Sequence, residues 1–119
     1  MPGHGTINYV ELPSRDLAAT RRFFEQAFGW RFVEYGPEYL AIEGAGLDGG
    51  FYASSLAARS EAGSALVVLY SDALEQTLAG VVEAGGEVIK PIFEFPGGRR
   101  FHFLAPGGSE FAVWSEPAA

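Results

Sequence analysis

The chain has 119 residues, 48% of them hydrophobic, no cysteine and a formal net charge of −7, which fits one compact domain (1–119) with a substantial core. The acidic balance argues against a nucleic-acid or anionic-membrane partner, and the absent cysteines exclude disulfides, thiolate nucleophiles and sulfur-ligated metals. No apolar run reaches the roughly 20 residues that cross a bilayer, and Met1-Pro2-Gly3-His4-Gly5 lacks the charged and apolar regions of a signal peptide, so a cytoplasmic location is expected.

From the N-terminus, Thr6 to Leu12 alternates Ile7, Tyr9 and Glu11 with Asn8, Val10 and Leu12, the period of a strand, and Pro13 is expected to end it. Ser14 or Asp16 then caps a helix that runs to Phe28 and stops at Gly29, with Leu17, Thr20, Phe24 and Phe28 forming its inward stripe. Three strands follow, over Trp30 to Tyr35, Tyr39 to Glu43 and Leu47 to Ala53, separated by Gly36-Pro37 and Gly44-Ala45-Gly46. Ser54 to Gly63 is small, polar and charged, and reads as a linker.

The same plan then returns. Ala65 to Tyr70 feeds a helix over Asp72 to Ala84, with Leu74, Leu78, Val81 and Val82 inward and Gly85-Gly86 at its end. Strands follow at Glu87 to Phe93, Arg100 to Leu104 and Glu110 to Trp114, with turns at Pro96-Gly97-Gly98 and Pro106-Gly107-Gly108. Aligning Asp16 with Asp72 gives an offset of 72 − 16 = 56 residues, which also carries Gly29 onto Gly85. The fold class is therefore α+β: two βαβββ modules, about 5–55 and 64–116, forming a cupped mixed sheet with helices on the outer face.

The run from Thr6 to Leu17, continued by Arg22-Phe23-Phe24-Glu25-Gln26-Ala27-Phe28-Gly29-Trp30, resembles the opening of the vicinal oxygen chelate superfamily, the glyoxalase, bleomycin-resistance and extradiol-dioxygenase group. Ala84-Gly85-Gly86-Glu87-Val88 and the stretch from Phe103 to Trp114 resemble its second module, with Ala105 where the turn usually has aspartate. The resemblance implies two modules around a cup in which enzymes of the group hold a divalent metal with His, Glu or Gln. Carried across, those ligand positions fall on Tyr9, Ala65 and Ala112, with a fourth near Phe51 not placed to the residue. Alanine offers no lone pair and a neutral phenol is a poor ligand, so the family metal is expected to be absent and the chain to have no cofactor.

Glu11 is the leading site candidate, because alternation turns its carboxylate toward the cup, where it needs a partner, a raised pKa or a ligand. The plainer reading is a structural bond to an arginine or a tyrosine hydroxyl. Tyr9 offers a ring and a polar tip, and His102, between Phe101 and Phe103, is a weaker candidate base. Phe51, Tyr52 and Trp114 are candidate aromatic contacts, and Arg100, beside Arg99, is a candidate anion clamp. The first function expected is metal-independent binding of a small organic molecule, aromatic or antibiotic-like, by a homodimer. The alternatives are a metal-dependent lyase, isomerase or dioxygenase of the glyoxalase type, with Glu11 as base and an unusual ligand set such as Glu11, His102 and Glu110, or a module serving only as an interaction partner.

Overall fold

A computed structural model describes residues 2–118. Strand β1 (Tyr9–Ser14), helix α1 (Leu17–Phe28) and strands β2 (Arg31–Glu34), β3 (Tyr39–Glu43) and β4 (Asp48–Ala53) make the first module. Strand β5 (Val67–Tyr70), helix α2 (Leu74–Glu83) and strands β6 (Glu87–Phe95), β7 (Gly98–Leu104) and β8 (Glu110–Ser115) make the second. Each module closes into one four-stranded mixed sheet, in the orders β1-β4-β3-β2 and β5-β8-β7-β6, with only the β1–β4 and β5–β8 pairs parallel. The expected architecture of paired βαβββ modules is the one observed. Among the described residues no helix is long and apolar enough to cross a membrane.

The repeat extends to individual hydrogen bonds. Ser14 Oγ lies 2.8 Å from Thr20 Oγ1 and accepts from the Asp16 amide, while Ser71 Oγ lies 2.7 Å from Thr77 Oγ1 and accepts from the Ala73 amide. In each module a strand-end serine thus ties the strand to the first turn of the helix. These pairs stand 71 − 14 = 77 − 20 = 57 residues apart, so the expected equivalence of Asp16 and Asp72 is one residue out at this point. Asp16 caps α1 by accepting from the Ala19 amide, whereas the equivalent Ala73 has no side chain to do so. Beyond the helices the 56-residue spacing returns, and Gly29 and Gly85 both take the left-handed conformation, at φ 69° and 106°.

Helix α1 joins the modules. Phe24 stacks on Trp30 at 4.3 Å between ring centroids and on Phe51 at 5.6 Å, and meets Phe111 of the second sheet edge-on at 5.0 Å. Phe23 reaches Phe103 at 5.5 Å. The largest apolar side chains therefore pack between the modules, and neither half owns a complete core.

Several local expectations need correction. Phe51 is 1% exposed and packs toward α1, on the opposite face from its neighbour Tyr52, because successive strand residues alternate sides; it belongs to the core and not to the cup. Pro13 lies inside β1, which runs on to Ser14; an edge strand tolerates the missing amide donor. Val82 is exposed on α2, whose buried residues are Leu74 and Val81, and Phe23 joins the buried face of α1. The segment after β4 is more than a connection: Ala58 donates to Ser109 Oγ and accepts from the Glu110 amide, and one 3-10 turn forms over Ser60–Ala62.

Candidate functional site

The face of the first sheet away from α1 carries Tyr9 and Glu11 from β1, Tyr39 from β3 and Tyr52 from β4. Strand register places Gly50 between Glu11 on one side and Ala41 on the other. With no side chain at position 50, the Tyr39 ring lies across the strand; a Cβ there would overlap the Tyr39 hydroxyl. That hydroxyl donates to Glu11 Oε2 at 2.9 Å and lies 2.5 Å from the Tyr9 hydroxyl. Burial, followed by the bonds to Tyr9 and Glu11, pushes the Tyr39 phenol above its ordinary pKa of 10.0, so it stays a proton donor. Glu11 therefore has the tyrosine partner that the plainer reading anticipated. Tyr39 itself went unnoticed in the sequence; the signal would have been a glycine in a strand beside a tyrosine-bearing neighbour.

Openings surround this group. A mostly apolar cleft of about 700 Å³ lies along the seam between β1 and β5, lined by Tyr9, Val10 and Leu12 on one side and by residues 65–70 on the other. Glu11 and Tyr52 line a smaller hollow of about 270 Å³ beside Leu56 and Ala58, and Tyr9 and Tyr39 share one of about 370 Å³ with Tyr35, Glu43 and Asp48. The largest of these openings is thus not the one that Glu11 lines. Tyr9 and Ile42 border both the seam cleft and the hollow beside the acids, and of the two Tyr9 carries a polar group.

On the second sheet the polar groups are already committed to one another. His102 Nδ1 lies 2.8 Å from Glu110 Oε2, and Ser60 donates both its amide, at 2.8 Å, and its hydroxyl, at 2.9 Å, to Glu110. Arg59 Nε stands 3.6 Å from the same carboxylate. Burial alone would raise the pKa of Glu110, but the bonds from His102 and Ser60 outweigh it and bring the group down to about 2. His102 and Glu110 are each 2% exposed, and His102 Nε2 is buried without a hydrogen-bond partner among the described residues. His102 is thus a buried residue hydrogen-bonded to Glu110, its ring tilted against Phe93 at 5.8 Å between centroids.

The ligand set of Glu11, His102 and Glu110 does not assemble: the first is bonded to a tyrosine of its own sheet and the other two to each other. Among the described residues no three of His, Asp and Glu gather to hold a metal ion. The positions carried over by resemblance fare no better. Tyr9 is engaged with Tyr39, Ala65 precedes β5, and Ala112 presents a methyl group. Under the 57-residue register the equivalent of Tyr9 is Leu66 and that of Glu11 is Val68, which are apolar as well. These side chains do not make a donor set for a divalent ion.

Trp114 and Arg100 share the second sheet's open face. Trp114 packs edge-on against Tyr70 at 5.1 Å, and the Arg100 guanidinium lies 5.3 Å from the ring centres of both Phe93 and Phe95. Arg99, its strand neighbour, turns the other way and pairs with Glu75 of α2, so the two arginines do not form one clamp.

Two βαβββ modules, each with a mixed sheet exposing one side-chain-rich face, define the class of paired-module, glyoxalase-like proteins. The family model for the Glyoxalase/Bleomycin resistance protein/Dioxygenase superfamily matches residues 6–113, and the chain belongs to that superfamily. No curated protein matches the sequence. Solved structures with this fold include a glyoxalase/bleomycin resistance protein/dioxygenase family enzyme from Burkholderia phytofirmans PsJN, at 20% identity and TM-score 0.75, covering 92% of this chain and 97% of the other. A glyoxalase-related enzyme from Fulvimarina pelagi is similar at 21% identity and TM-score 0.74, covering 94% and 88%. A lactoylglutathione lyase from Agrobacterium tumefaciens is similar at 17% identity and TM-score 0.70, covering 93% of each chain. At these identities the likeness speaks for the fold alone.

Proposed function

We propose that this protein binds a small organic molecule without a metal ion, at the tyrosine-rich face of the first sheet and the adjoining seam cleft. The observation that carries the reading is the hydrogen-bonded group of Tyr9, Tyr39 and Glu11, placed over a glycine, open to solvent, and bordered by an apolar cleft of ligand size. Tyr52 flanks Glu11, while Trp114 and Arg100 belong to the second sheet's face. The donor-poor side chains at the family's ligand positions favour working without a cofactor.

A homodimer in the cytoplasm fits the same features. Strands β1 and β5 are edge strands, and Ile7, Tyr9, Val68 and Tyr70 stand exposed beside them. The net charge of −7 leaves nucleic acids and anionic membranes outside the reading.

A thermal-shift screen of aromatic compounds, run with and without divalent ions, tests the proposal, since a ligand held only by the native state raises the melting temperature. A rise indifferent to metal is expected. A rise that requires a divalent ion, accompanied by turnover of a hemithioacetal, would replace it with the glyoxalase-type enzyme.

A further inference from the structure

The direction of the hydrogen bonds on the first sheet restricts what that face can recognise. A phenol has one proton to give, and Tyr39 gives its proton to Glu11 Oε2. In the 2.5 Å contact with Tyr9, Tyr39 must therefore accept, and Tyr9 must donate. Both phenolic protons are consumed within the group. What remains facing outward is a Tyr9 lone pair and Glu11 Oε1, which makes no protein hydrogen bond among the described residues. The Tyr9–Tyr39–Glu11 group thus presents acceptors and negative charge and has no proton of its own to offer a ligand carbonyl or carboxylate; the donors on the same face, the Tyr52 hydroxyl and Arg31, stand outside it.

The surroundings reinforce that polarity. Glu43 and Asp48 border the hollow that Tyr9 and Tyr39 share, and neither they nor Glu11 forms an ion pair among the described residues. Tyr9 and Tyr52 are 45% and 38% exposed as residues, and their rings are of the electron-rich kind on which cations settle. Gly50 holds the arrangement in place, because only a residue without a side chain leaves room for the Tyr39 hydroxyl between the strands.

We propose that the ligand is an organic cation, its protonated amine or guanidinium seated against Glu11 Oε1 and the Tyr9 oxygen and its apolar body lying in the seam cleft between β1 and β5. The inference rests on the binding reading above and adds the chemical class of what is bound. Tyr9 joins the two halves of such a ligand, since it borders both the cleft and the acid-lined hollow, as Ile42 does, and alone of that pair has a polar tip.

Calorimetric titration with three probes of one shape tests it: benzylamine, benzyl alcohol and benzoate at pH 7. Benzylammonium should bind about tenfold tighter than benzyl alcohol, as a charge-assisted bond to a carboxylate warrants, and benzoate should bind more weakly than both. The advantage of benzylammonium over benzyl alcohol should shrink with added salt and vanish in Glu11→Gln. Tyr39→Phe, which frees the Tyr9 proton, should improve benzyl alcohol relative to benzylammonium. Benzoate binding as well as benzylammonium, or a cation preference that survives Glu11→Gln, would overturn the inference while leaving a binding protein in place. Binding of none of the three would remove the binding reading itself.

Discussion

Glu110 is a buried carboxylate held by His102 and Ser60, and its titration should be visible in the stability of the whole fold. The group ionises at about 2 in the native chain against 4.5 for the free side chain. Each pH unit of such a difference is worth about 1.4 kcal/mol, so the native state gains roughly 3 kcal/mol from keeping Glu110 ionised. Because the native pKa is the lower one, the gain is complete above pH 4.5 and drains away as pH falls toward 2. Urea unfolding of the wild type and of Glu110→Gln, at pH values from 7 to 2.5, isolates this contribution from that of the other acids. The variant should be less stable by roughly 3 kcal/mol at pH 7, and the two curves should converge near the acid end. A difference that stays constant across the range would refute the reasoning, because it would mean that the loss came from packing and not from charge.

Other expectations follow from single contacts. Gly50→Ala should displace the Tyr39 ring, break its bond to Glu11 and weaken ligand binding; the shift of the Tyr39 ring signals in an NMR spectrum checks it. Phe24→Ala should cost about 3–5 kcal/mol, and both modules should still melt in one transition by circular dichroism, since this ring touches both sheets. Ser14→Ala leaves the buried Thr20 hydroxyl without its partner and should cost about 1–3 kcal/mol in urea unfolding, more than Ser71→Ala at the half-buried equivalent position.

The elements were legible because each rests on short-range signals. The period-2 run through Tyr9 and Glu11, the helical stripe of α1 and the glycines at 29 and 85 lie within a few residues of what they determine. The site was legible only where strand alternation decides. It correctly set Glu11 and Tyr9 on the open face, and the same rule, applied strictly, separates Phe51 from Tyr52. What stayed hidden depends on distant partners. Tyr39 meets Glu11 across 28 residues of sequence and Ser60 meets Glu110 across 50, and no local pattern marks either pair. The repeat itself misled by one position, because matching Asp16 to Asp72 overlooked the serine and threonine pairs that the two modules share.

Duplication also shows where the two faces differ in their charged groups. The register that pairs Ser14 with Ser71 places Val68 where the first module has Glu11, so the second sheet lacks the outward carboxylate. Its own acid, Glu110, is turned inward and saturated by His102 and Ser60, leaving nothing to exchange with a ligand. A buried charge in that state is stable because its bonds are complete, and recruiting it to a ligand would mean giving those bonds up. Glu11 has the opposite character: one oxygen is held by Tyr39, which fixes its direction, and the other remains free. Glu11, unlike the buried Glu110, is both oriented and exposed, and that asymmetry is the ground on which the first sheet is proposed as the binding face.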